Sequence, residues 1–345
     1  MDKQTPKPVT IVISPRDRYT GLEQCITKVY EHTDASLFNL IVLNLGYPDS
    51  VMRLAQAALK GRNNASIVDY GFIIPIEAME KIRHDIDTKY TVFLDNDSRV
   101  TAGWLPPIIE TGDAKNAAVI YPVTLESSGV DEGADLRNHL FTTELRVVDV
   151  DNKPYLIEEK TYRRTLPDEL PQEVTESQAF ELHCVMFNTD VLKSLELPHM
   201  TIREHLDIGM QLKNRGLKLY VDPRSHIIFD NLGTRASLSD LKYFNLRWNS
   251  NITEQSSRLF EKRWGYNFYS EQSIYNWAIR RRLFLLLRWL HLPNAVANKV
   301  DRIFSALRRR VAPIWDPLDN PNEQSSLLYD RFDNQAPKQL DHSVK

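Results

Sequence analysis

Residues 90–98 read YTVFLDNDS, and this stretch decides how the rest of the chain is interpreted. The residues from Tyr90 to Leu94 are apolar or β-branched, which is typical of a buried strand. Two aspartates, Asp95 and Asp97, come directly after them. A buried strand that ends in two carboxylates predicts a polar site where the chain leaves the sheet.

Strands and helices alternate around this stretch. Strands are predicted at 9–13, 37–46, 65–70 and 117–123, and helices at 20–32, 50–60, 74–86 and 104–110. This alternation predicts an α/β fold with a doubly wound, mostly parallel sheet flanked by helices. Ligands bind such sheets at the carboxyl ends of the strands, so the loops at 14–19 and 95–97 should meet at one edge.

The middle of the chain has a different pattern. Two runs at 145–150 and 155–159 flank a turn at 151–154, which predicts an antiparallel hairpin. The polar, proline-containing stretch at 163–178 is interpreted as a loop over the site. Further strands are predicted at 180–188, 217–221 and 226–229, and further helices at 190–195 and 204–215.

The chain is expected to form one α/β domain over 1–235, a helical, basic and amphipathic extension over 236–318, and a polar, disordered tail over 319–345. Between residues 280 and 310 the sequence has nine lysines and arginines against a single acid, Asp301. Two interpretations of the stretch at 274–312 stay open. It is either a peripheral membrane contact on anionic lipids or a surface that packs on the domain or on a partner subunit.

The composition excludes several classes of protein. A net charge of −3 over 345 residues gives no basic field for nucleic acid. The cysteines, Cys25 and Cys184, form no disulfide framework and have no partners at zinc-binding spacing. The chain has no apolar signal segment and no run long enough to span a bilayer. We therefore expect a cytoplasmic protein, with peripheral contact to the inner face of the membrane left open.

Asp95 and Asp97 have two explanations. Mg²⁺ and Mn²⁺ prefer oxygen ligands and also bind phosphate oxygens, so a metal here could bridge a diphosphate and neutralise a leaving nucleotide. Alternatively, the two residues form an acidic turn that caps the next helix. The buried strand before them favours the metal.

A second acidic motif begins a predicted helix at 204–215. Glu204, His205 and Asp207 lie in its first turn, where carboxylates are stabilised by the helix dipole. That effect alone would explain them. A carboxylate or imidazole at such a position is also suited to act as general base towards a hydroxyl group.

In this order, the motifs resemble those of the family 2 glycosyltransferases, which have the GT-A fold. The resemblance covers about residues 9–232. Its pieces are the segment Val12–Arg18 at the end of the first strand, the segment Val92–Asp97, the segment Gly103–Leu105, and a later frame filled by Glu204, Asp207, Leu212, Gly216, Tyr220 and Pro223.

The resemblance implies an inverting transfer of a sugar from a nucleotide-sugar, expected to be UDP-linked, to a hydroxyl of a carbohydrate or glycolipid acceptor. By analogy, the product would be a surface polysaccharide or glycolipid. The metal, Mn²⁺ or Mg²⁺, would be held by Asp95 and Asp97, and Glu204 would be the base, with His205 or Asp207 as alternatives. The residues expected to contact the donor are Pro15, Arg16, Arg18, Asn44 and Asp95.

The sequence departs from the family at three points. Asn44 stands where the family has an acid that contacts the nucleotide base, and His205 replaces the second acid of the later motif. The family's histidine metal ligand falls near Phe229, with His226 and Asp230 on either side. These departures keep open a non-catalytic protein that binds carbohydrate or serves as an assembly subunit.

A sugar nucleotidyltransferase is a lesser alternative. That chemistry normally uses a glycine-rich phosphate loop after the first strand, and the loop at 14–19 has no glycine before Gly21. His183 and Cys184 fall in a predicted buried strand, where a role in the core is favoured over metal binding.

Overall fold

The computed structural model describes residues 7–127, 136–150, 152–229, 237–248 and 250–266, with scattered residues between 283 and 307. The predicted tail at 319–345 and most of the basic stretch at 274–312 lie outside the described residues. Among the helices that are described, none is both long and apolar enough to cross a membrane.

The described chain alternates strands and helices over its first half and continues into a mixed second half. In order, the elements are β1 (Val9–Ser14), α1 (Leu22–His32), β2 (Phe38–Asn44), α2 (Asp49–Leu59), β3 (Ala65–Asp69), α3 (Pro75–Ile82), β4 (Tyr90–Asp95), β5 (Ser98–Val100), α4 (Leu105–Lys115), β6 (Val119–Ser127), β7 (Leu136–Asn138), β8 (Thr143–Val150), β9 (Lys153–Lys160), β10 (Thr175–Ser177), β11 (Cys184–Asn188), α5 (Thr189–Ser194), α6 (Glu204–Asn214), β12 (Leu219–Phe229), α7 (Leu238–Arg247) and α8 (Ser250–Trp264).

One large sheet has the order β10-β12-β6-β11-β4-β1-β2-β3, with β5 on β12 and β7 on β6. Strand β1 pairs in parallel with β2 and β4, and β2 pairs in parallel with β3. The register places Ser14 opposite Asp95. The ends of β1 and β4 therefore meet at one edge of the sheet, as the sequence predicts.

Burial explains why these strands take the centre of the sheet. Every residue of β1 and β4 is buried, and each large apolar side chain removed from water contributes roughly 1.5–3 kcal/mol. Helix α1 covers the sheet with Leu22, Cys25, Ile26 and Val29, the face that the helical periodicity predicts. The apolar core is continuous from β3 to β12.

The second half of the sheet is mixed. Strand β11 lies antiparallel between β4 and β6, and β6 pairs in parallel with β12. The predicted hairpin is confirmed as β8 and β9. Three predicted boundaries were wrong, because long-range pairing decides them. The strand predicted from 180 begins at Cys184, the two strands predicted at 217–229 are the single strand β12, and the predicted loop at 163–178 contains β10.

Helix α7 contacts the loop that follows β1. The carboxylate of Asp240 accepts hydrogen bonds from the backbone N–H groups of Tyr19 at 2.7 Å and Thr20 at 3.1 Å. The Tyr243 hydroxyl donates to the carbonyl oxygen of Pro15 at 3.3 Å. A helix from the predicted C-terminal extension thus fixes a loop some 220 residues earlier in the chain. The division of the chain at 235 stays a prediction.

Helix α6 approaches the chain before β11 at Gly209. A Cβ atom there would lie 2.6 Å from the carbonyl oxygen of Gln178, well inside van der Waals contact. Only glycine lets the helix pack this closely, and the packing sets the position of Glu204 at its first turn.

We expect Gly209→Ala to lower the free energy of unfolding by about 1–3 kcal/mol, because backbone has to move to relieve the overlap. Urea denaturation measures this change. Asn214→Ala, at the exposed end of the same helix, is the matched control and should change stability by less than about 0.5 kcal/mol. Equal stability of both variants would show that the helix does not pack this closely.

Candidate active site

A small pocket, partly open to solvent, lies at the carboxyl ends of β1 and β4. Its polar lining comes from four separate parts of the chain: Ser14, Arg16, Asp95, Thr201, Glu204 and Arg247. Its apolar lining is Pro75, Ile76 and Met79 of α3 together with Phe93, Leu182 and Met200. Ligands bind this edge in open α/β sheets, so the pocket is the candidate active site.

Arg16 connects the two acidic motifs inside this pocket. Its Nε lies 3.5 Å from Oδ2 of Asp95, and its Nη2 lies 3.7 Å from Oε1 of Glu204. Burial acts to lower the pKa of the guanidinium, but the carboxylates of Asp95 and Glu204 outweigh it and raise that pKa above its ordinary value. Arg16 therefore remains a cation, held between the end of β4 and the start of α6.

Arg247 of α7 is the second cation at Glu204. Its Nη2 lies 3.4 Å from Oε1 of Glu204, and its Nη1 contacts Asp17. The indole N–H of Trp248 also donates to Asp17, at 2.8 Å. The end of α7 thus ties the loop after β1 to the first residue of α6.

Asp97 is separated from this pocket by its own ion pair. Its carboxylate is buried, and Nε of Arg18 donates to Oδ2 at 3.2 Å. The turn between the two aspartates is fixed by Asn96, whose side-chain amide donates to the carbonyl oxygens of Arg18 and Tyr19. Asp97 is not among the described residues that line the pocket.

Gly21 makes this packing possible. Its φ is +109°, and a Cβ atom there would lie 2.9 Å from the carbonyl oxygen of Asn96. A larger residue would push the start of α1 away from the two aspartates.

The donor set suits a hard divalent cation. Asp95 and Asp97 supply buried carboxylate oxygens at the edge of the sheet, the ligand type that Mg²⁺ and Mn²⁺ prefer. Asp95 lines the pocket directly, and its contact with Arg16 is a long one at 3.5 Å. The residues present therefore fit a metal at Asp95, while Asp97 stays a predicted ligand.

The three residues predicted as candidate bases lie in different surroundings. Glu204 lines the pocket. His205 instead lies 3.4 Å from Oε2 of Glu158. Burial acts to lower the pKa of His205, but Glu181 and Glu158 outweigh it and raise that pKa.

Asp207 does not reach the pocket, because its carboxylate anchors helix α8. It accepts hydrogen bonds from Nε of Arg263 at 2.7 Å, the indole N–H of Trp264 at 2.8 Å, and the amide of Gln211 at 2.6 Å. The side chain is fully buried. A carboxylate with these partners holds α8 against α6, and Asp207 is not among the described residues that line the pocket with Glu204.

Asn44 lies at the end of β2, at the predicted edge. Its amide donates to Oδ2 of Asp69 at 2.8 Å, and its carbonyl oxygen accepts from the backbone N–H groups of Gly46 and Tyr47. Asn44 thus shapes the turn after β2 and presents Asp69 beside it. The carboxylate of Asp69, at the end of β3, therefore lies at this edge. It is one strand away from the end of β2, where the family has its acid.

Sequence reasoning missed two residues of the site. His183 was predicted to be a core residue, but its Nδ1 lies 2.9 Å from Oδ2 of Asp95. The pairing of β11 with β4, which sets Cys184 opposite Leu94, places it there. Arg247 had no local signal, since its partner Asp17 lies 230 residues away.

Phe229 stands near the position at which the family has its histidine metal ligand. The ring of Phe229 stacks on His183, with ring centroids 4.0 Å apart. His226 lies within β12, where its carbonyl oxygen accepts from Thr101. Asp230 lies outside the described residues. Among the described residues, the histidine next to Asp95 is His183.

Comparison with known proteins supports the fold. No protein-family model matches the chain, and no curated protein matches it either. A crystal structure of GalNAc-T7 with UDP, GalNAc and Mn²⁺ is similar at 12% sequence identity and a TM-score of 0.50, over 81% of this chain and 56% of that one. The chain thus spans about half the length of that protein. The likeness confirms the expected GT-A-like α/β fold.

We expect Asp207→Asn to destabilise the protein by about 1–3 kcal/mol, because it leaves the guanidinium of Arg263 without its buried charged acceptor. Thermal or urea unfolding measures the loss. Glu254→Gln breaks an exposed ion pair with Arg258 and should have almost no effect. A stable Asp207→Asn variant would mean that this carboxylate does not anchor α8.

Proposed function

We propose that the protein is a glycosyltransferase that moves a sugar from a nucleotide-sugar to an acceptor hydroxyl. One observation supports this most strongly. A single pocket at the carboxyl edge of the sheet has Asp95 on one wall and Glu204 on another, with Arg16 between them. The similar GalNAc-T7 structure has UDP, GalNAc and Mn²⁺ bound. A nucleotide-sugar, UDP-linked as the family resemblance implies, is therefore the donor that we propose.

On the donor side, Asp95 and Asp97 would hold Mn²⁺ or Mg²⁺. When bound, such a cation neutralises the negative charge that develops on the leaving diphosphate. The chain's own residues supply a second source of positive charge. Arg16 lies in the pocket wall, and guanidinium groups are well suited to paired hydrogen bonds with phosphate oxygens. Pro15, Arg18 and Asn44 would position the nucleotide at the same edge.

On the acceptor side, Glu204 is the base. Both of its ion pairs, with Arg16 and Arg247, use Oε1, and they fix the carboxylate in the pocket wall. The acceptor oxygen attacks the anomeric carbon and passes its proton to Glu204. The bond from the anomeric carbon to the diphosphate oxygen breaks, and the nucleoside diphosphate leaves. Inversion at the anomeric carbon is what the family 2 resemblance implies.

The acceptor that we propose is a carbohydrate or a glycolipid. The basic stretch at 274–312 is proposed as a peripheral membrane contact, which would bring a glycolipid acceptor to the pocket. Nucleic acid is not proposed as a partner, because the chain has a net charge of −3.

A non-catalytic carbohydrate-binding protein is the second candidate. The buried ion pair between Arg18 and Asp97 favours it, because Arg18 already supplies the positive charge that a metal would bring. The two candidates differ in turnover. Binding of UDP and Mn²⁺ without donor hydrolysis or transfer would support the second.

We expect Glu204→Gln to lower the rate of transfer by about 10²–10⁴-fold, because an amide cannot accept the proton of the acceptor. The measurement is steady-state release of UDP from UDP-sugars in the presence of Mn²⁺ and an acceptor. Asn214→Ala, at the exposed end of the same helix, is the matched control and should keep its activity. Full activity of Glu204→Gln would remove Glu204 from the mechanism.

Chelation should abolish donor hydrolysis, and added Mn²⁺ or Mg²⁺ should restore it, because Arg16 without the metal leaves the diphosphate charge only partly neutralised. A screen of UDP-sugars with and without EDTA measures this. Asp95→Asn should remain inactive at any Mn²⁺ concentration. Undiminished hydrolysis in EDTA would show that the arginines suffice and that the metal is not required.

A further inference from the structure

A second cluster of polar side chains adjoins the candidate active site through His183. His139, Glu181 and His183 each offer one ligand atom, and these atoms lie within 4.8 Å of one another. His139 follows β7, while Glu181 and His183 precede β11. The proposed transfer reaction uses neither His139 nor Glu181.

A carboxylate contacts Nδ1 of both histidines. Glu126 contacts Nδ1 of His139, and Oδ2 of Asp95 lies 2.9 Å from Nδ1 of His183. A carboxylate at this nitrogen favours the tautomer with the proton on Nδ1, which leaves a lone pair on Nε2. Histidines that bind metals in proteins are commonly oriented in this way.

Glu181 supplies the third ligand. Its Oε1 lies 3.8 Å from Nε2 of His139. Two ligands of one tetrahedral ion at bond lengths near 2.1 Å are separated by about 3.4 Å, so a small side-chain rotation is enough. A carboxylate and two imidazoles form a set that leaves further positions on the ion for water.

The fold holds these ligands in place without an ion. The side chains of His139, Glu181 and His183 are only 18%, 15% and 10% exposed. The ring of Phe229 stacks on His183 at 4.0 Å and limits its rotation. The three side chains therefore lose little conformational freedom on binding an ion, which favours affinity.

Lys160 competes with an ion at this cluster. Its ammonium group donates to Oε1 of Glu181 at 2.6 Å and lies 3.5 Å from Oε2 of Glu158. It neutralises the glutamate that a dication would need. Binding of an ion requires this ammonium to turn towards Glu158, so Lys160 limits the affinity.

We propose that His139, Glu181 and His183 form a second cation site, which binds a divalent transition metal such as Zn²⁺ or Co²⁺ without nucleotide. Two imidazole nitrogens and one carboxylate suit these ions better than Mg²⁺. Because His183 also contacts Asp95, an ion here would orient a carboxylate of the donor pocket. The site does not depend on the proposed transferase function.

The test is a Co²⁺ titration of the full-length, chelator-treated protein, followed by visible absorption, with no nucleotide-sugar present. His139→Ala and Glu181→Gln should each weaken binding by about tenfold or more, since each removes a ligand. Lys160→Met should tighten it several-fold, because it frees Glu181. His199→Ala is the control, because His199 is an exposed histidine outside the cluster, with its Nε2 3.4 Å from Oε2 of Glu80.

Unchanged Co²⁺ binding in His139→Ala and Glu181→Gln would overturn the proposal. Loss of binding in Asp97→Asn would also overturn it, because the ion would then lie at the aspartates after β4. Circular dichroism checks that each variant folds. If neither His139→Ala nor Glu181→Gln folds, Lys160→Met provides the test. Co²⁺ binding by Lys160→Met that is no tighter than binding by the unmodified protein would then reject the site. Donor hydrolysis is measured separately, so either proposal can fail alone.

Discussion

The pairing of buried charges around Arg16 is the constraint on which the rest of this site depends. A guanidinium or carboxylate moved out of water costs several kcal/mol unless it meets a charge of opposite sign in good geometry. Arg16 meets this condition twice, since it lies 3.5 Å from Asp95 and 3.7 Å from Glu204. The requirement fixes the end of β4 relative to the start of α6, which are far apart in the sequence.

Helix α7 also pairs buried charged groups with partners in other parts of the chain. Arg247 pairs with both Asp17 and Glu204, and Asp240 binds the backbone N–H groups of Tyr19 and Thr20. The loop after β1 therefore has its shape set by a helix near the end of the described chain. Arg247, the last residue of α7, lines the pocket, so α7 helps to form the pocket wall.

A bound anion would compete with the chain's own carboxylates for the guanidinium groups of the pocket. In the described structure its guanidinium groups face carboxylates of the chain itself. A nucleoside diphosphate would offer the same groups phosphate oxygens, to which arginine can donate two parallel hydrogen bonds. In the cluster formed by His139, Glu181 and His183, His183 contacts Asp95. An ion bound to this cluster would therefore also affect the carboxylate of Asp95.

The sequence by itself determined the alternating strands and helices, the buried strand that ends in Asp95, and the acidic start of α6, because these follow from local periodicity and composition. The family resemblance, carried by motifs in the sequence, implied Arg16 and Glu204 as site residues. Only the tertiary structure decided which acid of α6 faces the pocket, because Asp207 is held by Arg263 and Trp264 of α8. It also decided that His183 lies at Asp95 and Arg247 at Glu204. Strand pairing and ion pairs between distant segments set these contacts, and no local pattern of residues records them.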